Sequence, residues 1–134
     1  LRTPAYVSLE RALRIHGMIP EAVGLVQSVT TGRPGVVDNS LGRFEYRHVK
    51  RSWFTGYREM QRGPGPGPLV ATREKAILDL VYFSRGEFTA GRIEELRLDD
   101  VDLLDREEMT RLARLSGSAR VARAARLILE IAGG

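Results

Sequence analysis

The most apolar segment of the chain that also has a clear helix start runs from Ala71 to Phe83, ATREKAILDLVYF. Thr72 can accept a hydrogen bond from a free backbone N–H of the first turn, and Glu74 places negative charge at the positive end of the helix dipole. The helix is apolar around most of its circumference, which is typical of a helix buried on several sides. Asp79 interrupts this apolar surface one turn after Lys75. We therefore predict a central helix between a preceding sheet and later helices. Its apolar residues are Ile77, Leu78, Leu80, Val81 and Phe83.

Short β-type patterns precede this helix. Leu25 to Thr31 is rich in Val and Thr, and Val36-Val37 follows a Gly-Arg-Pro-Gly turn signal. Arg43 to Val49 alternates, which predicts a half-buried strand with Phe44, Tyr46 and His48 towards the core and Arg43, Glu45 and Arg47 towards water. Trp53, Phe54 and Tyr57 indicate another short strand. Together these patterns predict a mainly antiparallel sheet of about three to five strands between residues 25 and 70.

Helical patterns lie on both sides of the predicted sheet. Ser8 can cap a helix over Leu9 to His16 that Gly17 ends, and Pro20 suits the start of a short turn through Val23. Three helices are predicted after Phe83: Ala90 to Leu98, Arg106 to Leu115 capped by Asp102 or Asp105, and Ala119 to Ala132 capped by Ser118. The buried stripe of the last helix is Val121, Ala124, Ala125, Ile128 and Ile131.

These elements predict an α+β fold with an N-terminal helix, the sheet, the central buried helix and a C-terminal helical bundle. The alternating Gly and Pro residues at 63-68 prevent both helix and ladder pairing, so they form an exposed loop. Neither half of the chain alone has a convincing core. We therefore expect residues 1-134 to be a single domain that contains this loop.

Composition limits the classes of function. The chain has 134 residues, of which 43% are hydrophobic and 28% charged, as in an ordinary globular domain. It has no cysteine, no bilayer-spanning run and no secretory leader, so a cytoplasmic protein without disulfides is expected. The net charge of +4 permits contact with nucleic acid or with an acidic partner, and it requires neither.

Few residues suggest catalysis. The two histidines, His16 and His48, lie far apart in the sequence with no acidic pattern around them, so we expect no zinc site and no other metal or cofactor. Asp38 followed by Glu45-x-Arg47 faintly resembles a restriction-type nuclease site, in which two carboxylates hold Mg²⁺. Arg in place of the usual Lys is a poor base, because its guanidinium does not readily release a proton. We expect no enzyme activity, and a divalent-metal nuclease stays as an alternative.

Two exposed charged surfaces are candidate interaction sites. The first, the strand set, comprises Arg43, Glu45, Arg47, Lys50 and Arg51. The second, the helix set, comprises Arg111, Arg114, Arg120, Arg123 and Arg126 on the outer face of the last helices. The simplest interpretation of both is a solvated face. Within the helix set, Arg120 and Arg123 are the candidates for nonspecific attraction to nucleic acid.

Four segments in order resemble the AbiEi antitoxins of bacterial abortive-infection, type IV toxin–antitoxin systems. They are YVSLERALRIHGMIPE (6-21), VTTGRP (29-34), LGRFEYRHVK (41-50) and ATREKAILDLVYF (71-83). Members of that family show a Ser-Leu-x-x-Ala-Leu helix followed by Gly-x-Ile-Pro, a Thr-Thr turn, a Gly-x-Phe-x-Tyr-Arg-His strand and an Ala-x-x-Glu-Lys-Ala-x-x-Asp helix. The family usually has Pro where Arg73 stands.

The resemblance implies a non-enzymatic antitoxin whose opponent is a nucleotidyltransferase toxin, neutralised without a stable complex. The winged-helix DNA-binding domain that normally precedes this region, and makes the family transcriptional regulators, is missing from the chain. The likeness is therefore to the C-terminal domain, the part associated with antitoxin activity. The other alternative is a basic nucleic-acid-binding module that uses the Arg-rich outer surface. Of the two charged surfaces, the strand set is favoured as the functional one, because the Tyr-Arg-His strand is shared with the family.

Overall fold

A computed structural model describes residues 4–20, 24–61 and 63–133, and it has an α+β fold. Its six strands are β1 (Ala5–Val7), β2 (Leu25–Thr30), β3 (Gly35–Asn39), β4 (Gly42–His48), β5 (Tyr57–Glu59) and β6 (Leu69–Ala71). The helices are α1 (Leu9–Ile15), α2 (Arg73–Phe83), α3 (Ala90–Glu95), α4 (Arg106–Leu115) and α5 (Ala119–Gly133). Short 3-10 turns cover Arg51–Trp53 and Val101–Leu103.

All six strands form one mixed sheet in the order β3-β4-β2-β1-β6-β5. The pairs β1/β2, β3/β4 and β5/β6 are antiparallel, whereas β1/β6 and β2/β4 are parallel. The predicted mainly antiparallel sheet of about three to five strands between residues 25 and 70 is confirmed, because β2 to β6 all begin in that range and three of the five strand pairs are antiparallel. The three residues of β1 precede α1 and were missed. The short strand predicted at Trp53, Phe54 and Tyr57 begins only at Tyr57, because Trp53 ends a 3-10 turn that Phe54 follows.

Helix α2 is the centre of the molecule, as predicted. Ile77, Leu78 and Val81 are fully buried, and Leu80 and Phe83 are half-buried. Thr72 caps the helix by accepting a hydrogen bond from the backbone N–H of Lys75. The helix packs against α1, α4 and α5. It therefore joins the sheet to the C-terminal helices in one core.

The C-terminal helices begin at the predicted type of cap. Of the two candidates for α4, Asp105 is the cap, with its carboxylate 3.1 Å from the N–H of Glu108. Glu74 of α2 accepts from the backbone N–H of Asp105 at 2.7 Å and so ties the two helices together. Ser118 caps α5 through the N–H of Val121.

Several local predictions were wrong. Helix α3 ends at Glu95 instead of Leu98, and Ile131 is 43% exposed, so it lies outside the buried stripe of α5. Most of the short turn predicted from Pro20 to Val23 falls outside the described residues.

None of the helices that the structure describes combines the length and apolar character that crossing a bilayer requires.

The alternation in β4 was predicted correctly, but its sides were reversed. Arg47 lies beside Val29, which lies beside Tyr6, and paired neighbours share a side of the sheet. Tyr6 and Val29 are buried on the helix-bearing side. Arg43, Glu45 and Arg47 therefore project towards the helices, and Phe44, Tyr46 and His48 project away. Neither group of three side chains is fully buried, because β3 and β4 make few contacts with the helices.

Candidate functional site

The carboxylate of Asp79 is the centre of a buried hydrogen-bond network. Its Oδ2 accepts from the hydroxyl of Tyr6 at 2.9 Å and from that of Ser8 at 2.6 Å. Its Oδ1 accepts from the indole N–H of Trp53 at 2.7 Å and from the ammonium of Lys75 at 3.1 Å. Ser8 stands at the N-cap position of α1, but its hydroxyl binds Asp79 and makes no capping bond. Four donors from three parts of the chain thus converge on one acidic group.

The ammonium of Lys75 completes the network. It donates to the hydroxyl of Tyr6 at 2.5 Å and to the carbonyl of Trp53 at 2.8 Å, in addition to Asp79. Nζ also lies 4.0 Å from the centre of a Trp53 ring, within range of a cation–π interaction. Gly56 leaves room for the aliphatic stem, since a Cβ added there would stand 2.8 Å from Cγ of Lys75. Every donor of the ammonium has a partner inside the protein.

Burial dominates the electrostatics of this network. Desolvation lowers the pKa of Lys75 and raises that of Asp79, and in each case the attraction of the partner opposes the shift. The pKa of Tyr6 is raised far above its ordinary value, so its phenol stays protonated. The side chains of Lys75 and Asp79 have no exposure to water. The network therefore anchors α2 to the sheet and offers no atom to a substrate.

Both histidines bind backbone carbonyls. Nε2 of His16, at the end of α1, lies 2.7 Å from the carbonyl oxygen of Ala71, just before α2. Nδ1 of His48 lies 2.8 Å from the carbonyl oxygen of Gly32 in the turn after β2. The hydroxyl of Thr30 accepts from the N–H of Gly32 and donates to the carbonyl of Pro4. The hydrogen bond of His16 therefore links the end of α1 to the start of α2.

Two arginines of the strand set form ion pairs, and its two other cations form none with the residues that the structure describes. Arg43 does not pair with Glu45; it makes a bidentate pair with Asp38 on β3 at 2.9 and 3.1 Å. Nε of Arg47 lies 3.3 Å from Glu45, and its guanidinium lies 5.2 Å from the centre of the Phe83 ring of α2. Lys50 and Arg51 are exposed on the loop after β4 and form no ion pair with any described residue.

Glu45 and Arg47 line an open concavity of about 430 Å³ on the helix-bearing side of the β3–β4 hairpin. Phe83 and Val36 contribute apolar surface to it, and Val36 is 58% exposed. A positive group held over an aromatic ring beside exposed apolar surface is suited to a protein contact. We call this surface the hairpin concavity.

The two carboxylates of the nuclease alternative lie on the same side of the β3–β4 pair, since Asp38 faces Arg43 and Glu45 follows two residues later. Each is already paired with an arginine. The hydrogen bond from Arg43 holds the pKa of Asp38 below its ordinary value, with a smaller opposing effect of desolvation. Among the described residues, no group of three or more His, Cys, Asp or Glu side chains could hold a metal ion.

Three of the five arginines of the helix set already bind other residues of the chain, although the helical spacing predicted an outward-facing surface. Arg120 is half-buried and donates to the carbonyls of Tyr82 and Gly86, so it satisfies the end of α2. Arg123 pairs with Glu87 at 2.9 Å on the exposed surface. Arg120 is therefore a structural residue, and Arg123 is a partly neutralised one. Arg111 also pairs, with Glu108, whereas Arg114 and Arg126 are exposed and form no ion pair with any described residue.

Comparison with protein-family models, with curated proteins and with solved structures finds no match to this chain. Function therefore has to be inferred from its own residues and their contacts. The buried network was the feature that sequence reasoning missed. Its signal was the pair Lys75 and Asp79 within an apolar helix, which was interpreted only as one charged interruption.

Proposed function

We propose that this chain is the antitoxin domain of a type IV toxin–antitoxin system of the AbiEi kind. It would oppose a nucleotidyltransferase toxin without catalysing a reaction and without a stable complex with it. In a protein that also carries the family's winged-helix domain, it would act beside a DNA-binding transcriptional regulator.

The observation that carries the proposal is the way in which the four family-like segments contact one another. Ser8 of the first segment and Lys75 of the fourth both bind Asp79. His16 of the first binds Ala71 of the fourth, and His48 of the third lies against Gly32 of the second. Motif residues that are far apart in the sequence thus hydrogen-bond to one another in the folded chain, as expected if they specify a common fold.

The buried network cannot meet a partner, so the functional surface must lie elsewhere. The hairpin concavity is the best candidate, because it combines the Tyr-Arg-His strand with exposed apolar surface and with the half-exposed guanidinium of Arg47. Lys50 and Arg51 follow the same strand and add exposed positive charge. We assign the antitoxin function to the hairpin concavity and to these two neighbouring cations.

Rescue of growth tests the proposal. The chain is co-expressed with the nucleotidyltransferase encoded by the neighbouring gene, in cells that the toxin alone arrests. We expect growth to be restored. The matched control is Asp79→Ala, which removes the acceptor of the buried network and should abolish rescue by reducing the amount of folded protein. Absence of rescue by the soluble, folded wild-type chain would count against the antitoxin function.

A second candidate function is binding of nucleic acid through α4. A shallow concavity on that helix is lined by three arginines, Arg106, Arg111 and Arg114, together with Glu107 and Thr110. Such a surface would attract a phosphate backbone through release of counterions. Binding of a DNA or RNA duplex should then weaken steeply with salt and be lost in Arg114→Glu. Salt-independent binding, or none, would exclude this candidate.

A further inference from the structure

The two edges of the sheet differ in how they are protected against further strand pairing. At one edge, β5 has three residues, and two of them, Arg58 and Glu59, are exposed charged residues. Short length and charge are the usual means by which proteins protect an edge. At the other edge, β3 has five residues, all of them exposed, and no described element lies beyond it.

Strand β3 has the features of an edge that accepts a partner. Val36 and Val37 are 58% and 47% exposed, and they project to opposite sides of the sheet because they are adjacent in a strand. The single charged residue of the strand, Asp38, is neutralised by Arg43. Along the outer side, alternate residues present backbone N–H and C=O groups that no described strand pairs.

We infer that β3 pairs antiparallel with β3 of a second copy of this chain, so that two six-stranded sheets form one continuous sheet. An uncharged edge does not repel an identical edge, and a two-fold axis makes one strand the complement of itself. The register that uses all five residues is centred on Val37. It places Val37 opposite Val37 of the second copy and Gly35 opposite Asn39.

This pairing partly covers Val36 on one side of the new sheet and Val37 on the other. Val36 also lines the hairpin concavity, so the dimer reduces the apolar surface open to a partner there, but the pairing does not rest on the proposed antitoxin function. A contact between two five-residue strands is small beside the roughly 1,600 Å² of a standard interface. The expected dimer is therefore weak and concentration-dependent.

Sedimentation velocity over a wide range of protein concentration tests the inference. The wild-type chain should shift from monomer to dimer as concentration rises. Val37→Lys places two like charges opposite each other and should weaken the dimer by about tenfold or more. The matched control is Leu103→Lys, which adds the same charge at a residue that is 55% exposed outside the sheet and should leave the dimer unchanged. A wild-type chain that stays monomeric, or a Val37→Lys dimer as strong as the wild type, would overturn the inference.

Cysteine cross-linking supplies an independent measurement, because the chain has no cysteine of its own. In Val37→Cys, the centred register brings two thiols together across the axis, so mild oxidation should give a covalent dimer on a denaturing gel. Leu103→Cys should give only the slow cross-linking of random encounters. Equal rates for the two variants would contradict pairing through β3.

Discussion

Nζ of Lys75 and Oδ1 of Asp79 lie 3.1 Å apart, and neither side chain has any contact with water. Removing one partner of such a pair leaves a buried charge unpaired, which typically costs about 3–5 kcal/mol. We therefore expect Lys75→Met and Asp79→Asn each to lower the free energy of unfolding by about that amount. The double variant should lose less than the sum of the two, by about 0.5–3 kcal/mol.

Guanidinium unfolding followed by circular dichroism measures this cycle without using the fluorescence of Trp53, which contacts both groups. The exposed pair Glu108 and Arg111 is the matched control, and its removal should cost less than about 1 kcal/mol. Strict additivity of the Lys75 and Asp79 variants would show that the two side chains are not coupled.

Gly56, beside Lys75, is expected to be sensitive to substitution. Its φ of +78° disfavours any side chain, and an added Cβ would meet the stem of Lys75 at 2.8 Å. Gly56→Ala should therefore destabilise the domain by about 1–3 kcal/mol. Gly35→Ala is the control, because Gly35 has no positive φ and open space around it. Equal thermal midpoints for the two variants would contradict this packing.

The starts of α2, α4 and α5 were predictable because they depend on local chemistry. Thr72, Asp105 and Ser118 cap their helices through the N–H three residues later, so each cap lies within a short sequence pattern. The burial of Ile77 and Val81 follows equally from the apolar composition of one segment. These features needed no information about distant parts of the chain.

The features that the sequence did not predict depend on contacts between residues far apart in the chain. Three residues of β1 are too few to show a period, and they become a strand only by pairing with β2 and β6. Alternation in β4 shows that its two sides differ, but the register with β2 decides which side meets the helices. The role of Asp79 required Tyr6 and Ser8, more than seventy residues away.

The stability of the β3–β4 hairpin should depend on pH through Asp38. Its hydrogen bond to Arg43 lowers the pKa of Asp38 in the folded state below the ordinary value of 3.8, so the unfolded chain binds a proton more readily. The stabilisation is therefore complete at pH values above the ordinary pKa of Asp38. It is lost as the pH falls through the lowered pKa of the folded state. The wild type should exceed Asp38→Asn in thermal midpoint at neutral pH, and the difference should shrink as the pH falls below 3.8 and vanish below the lowered pKa of Asp38. A difference that does not change with pH would contradict this.

The strand set is expected to carry function. Reversing two of its charges, in Arg43→Glu with Arg47→Glu, should abolish growth rescue while circular dichroism shows a folded domain, because both side chains are partly exposed. Arg114→Glu with Arg126→Glu makes the same change in net charge at exposed residues of α4 and α5 and should leave rescue intact. Rescue by the first double variant would place the functional surface elsewhere on the molecule.

Colony counts after induction of the neighbouring nucleotidyltransferase toxin, with and without this chain, test the antitoxin function most directly. We predict that the wild-type chain restores colony formation to the level of cells without toxin. We also predict that an extract of those cells shows no stable complex between the two proteins. The same loss of colonies with and without the folded chain would contradict the antitoxin function.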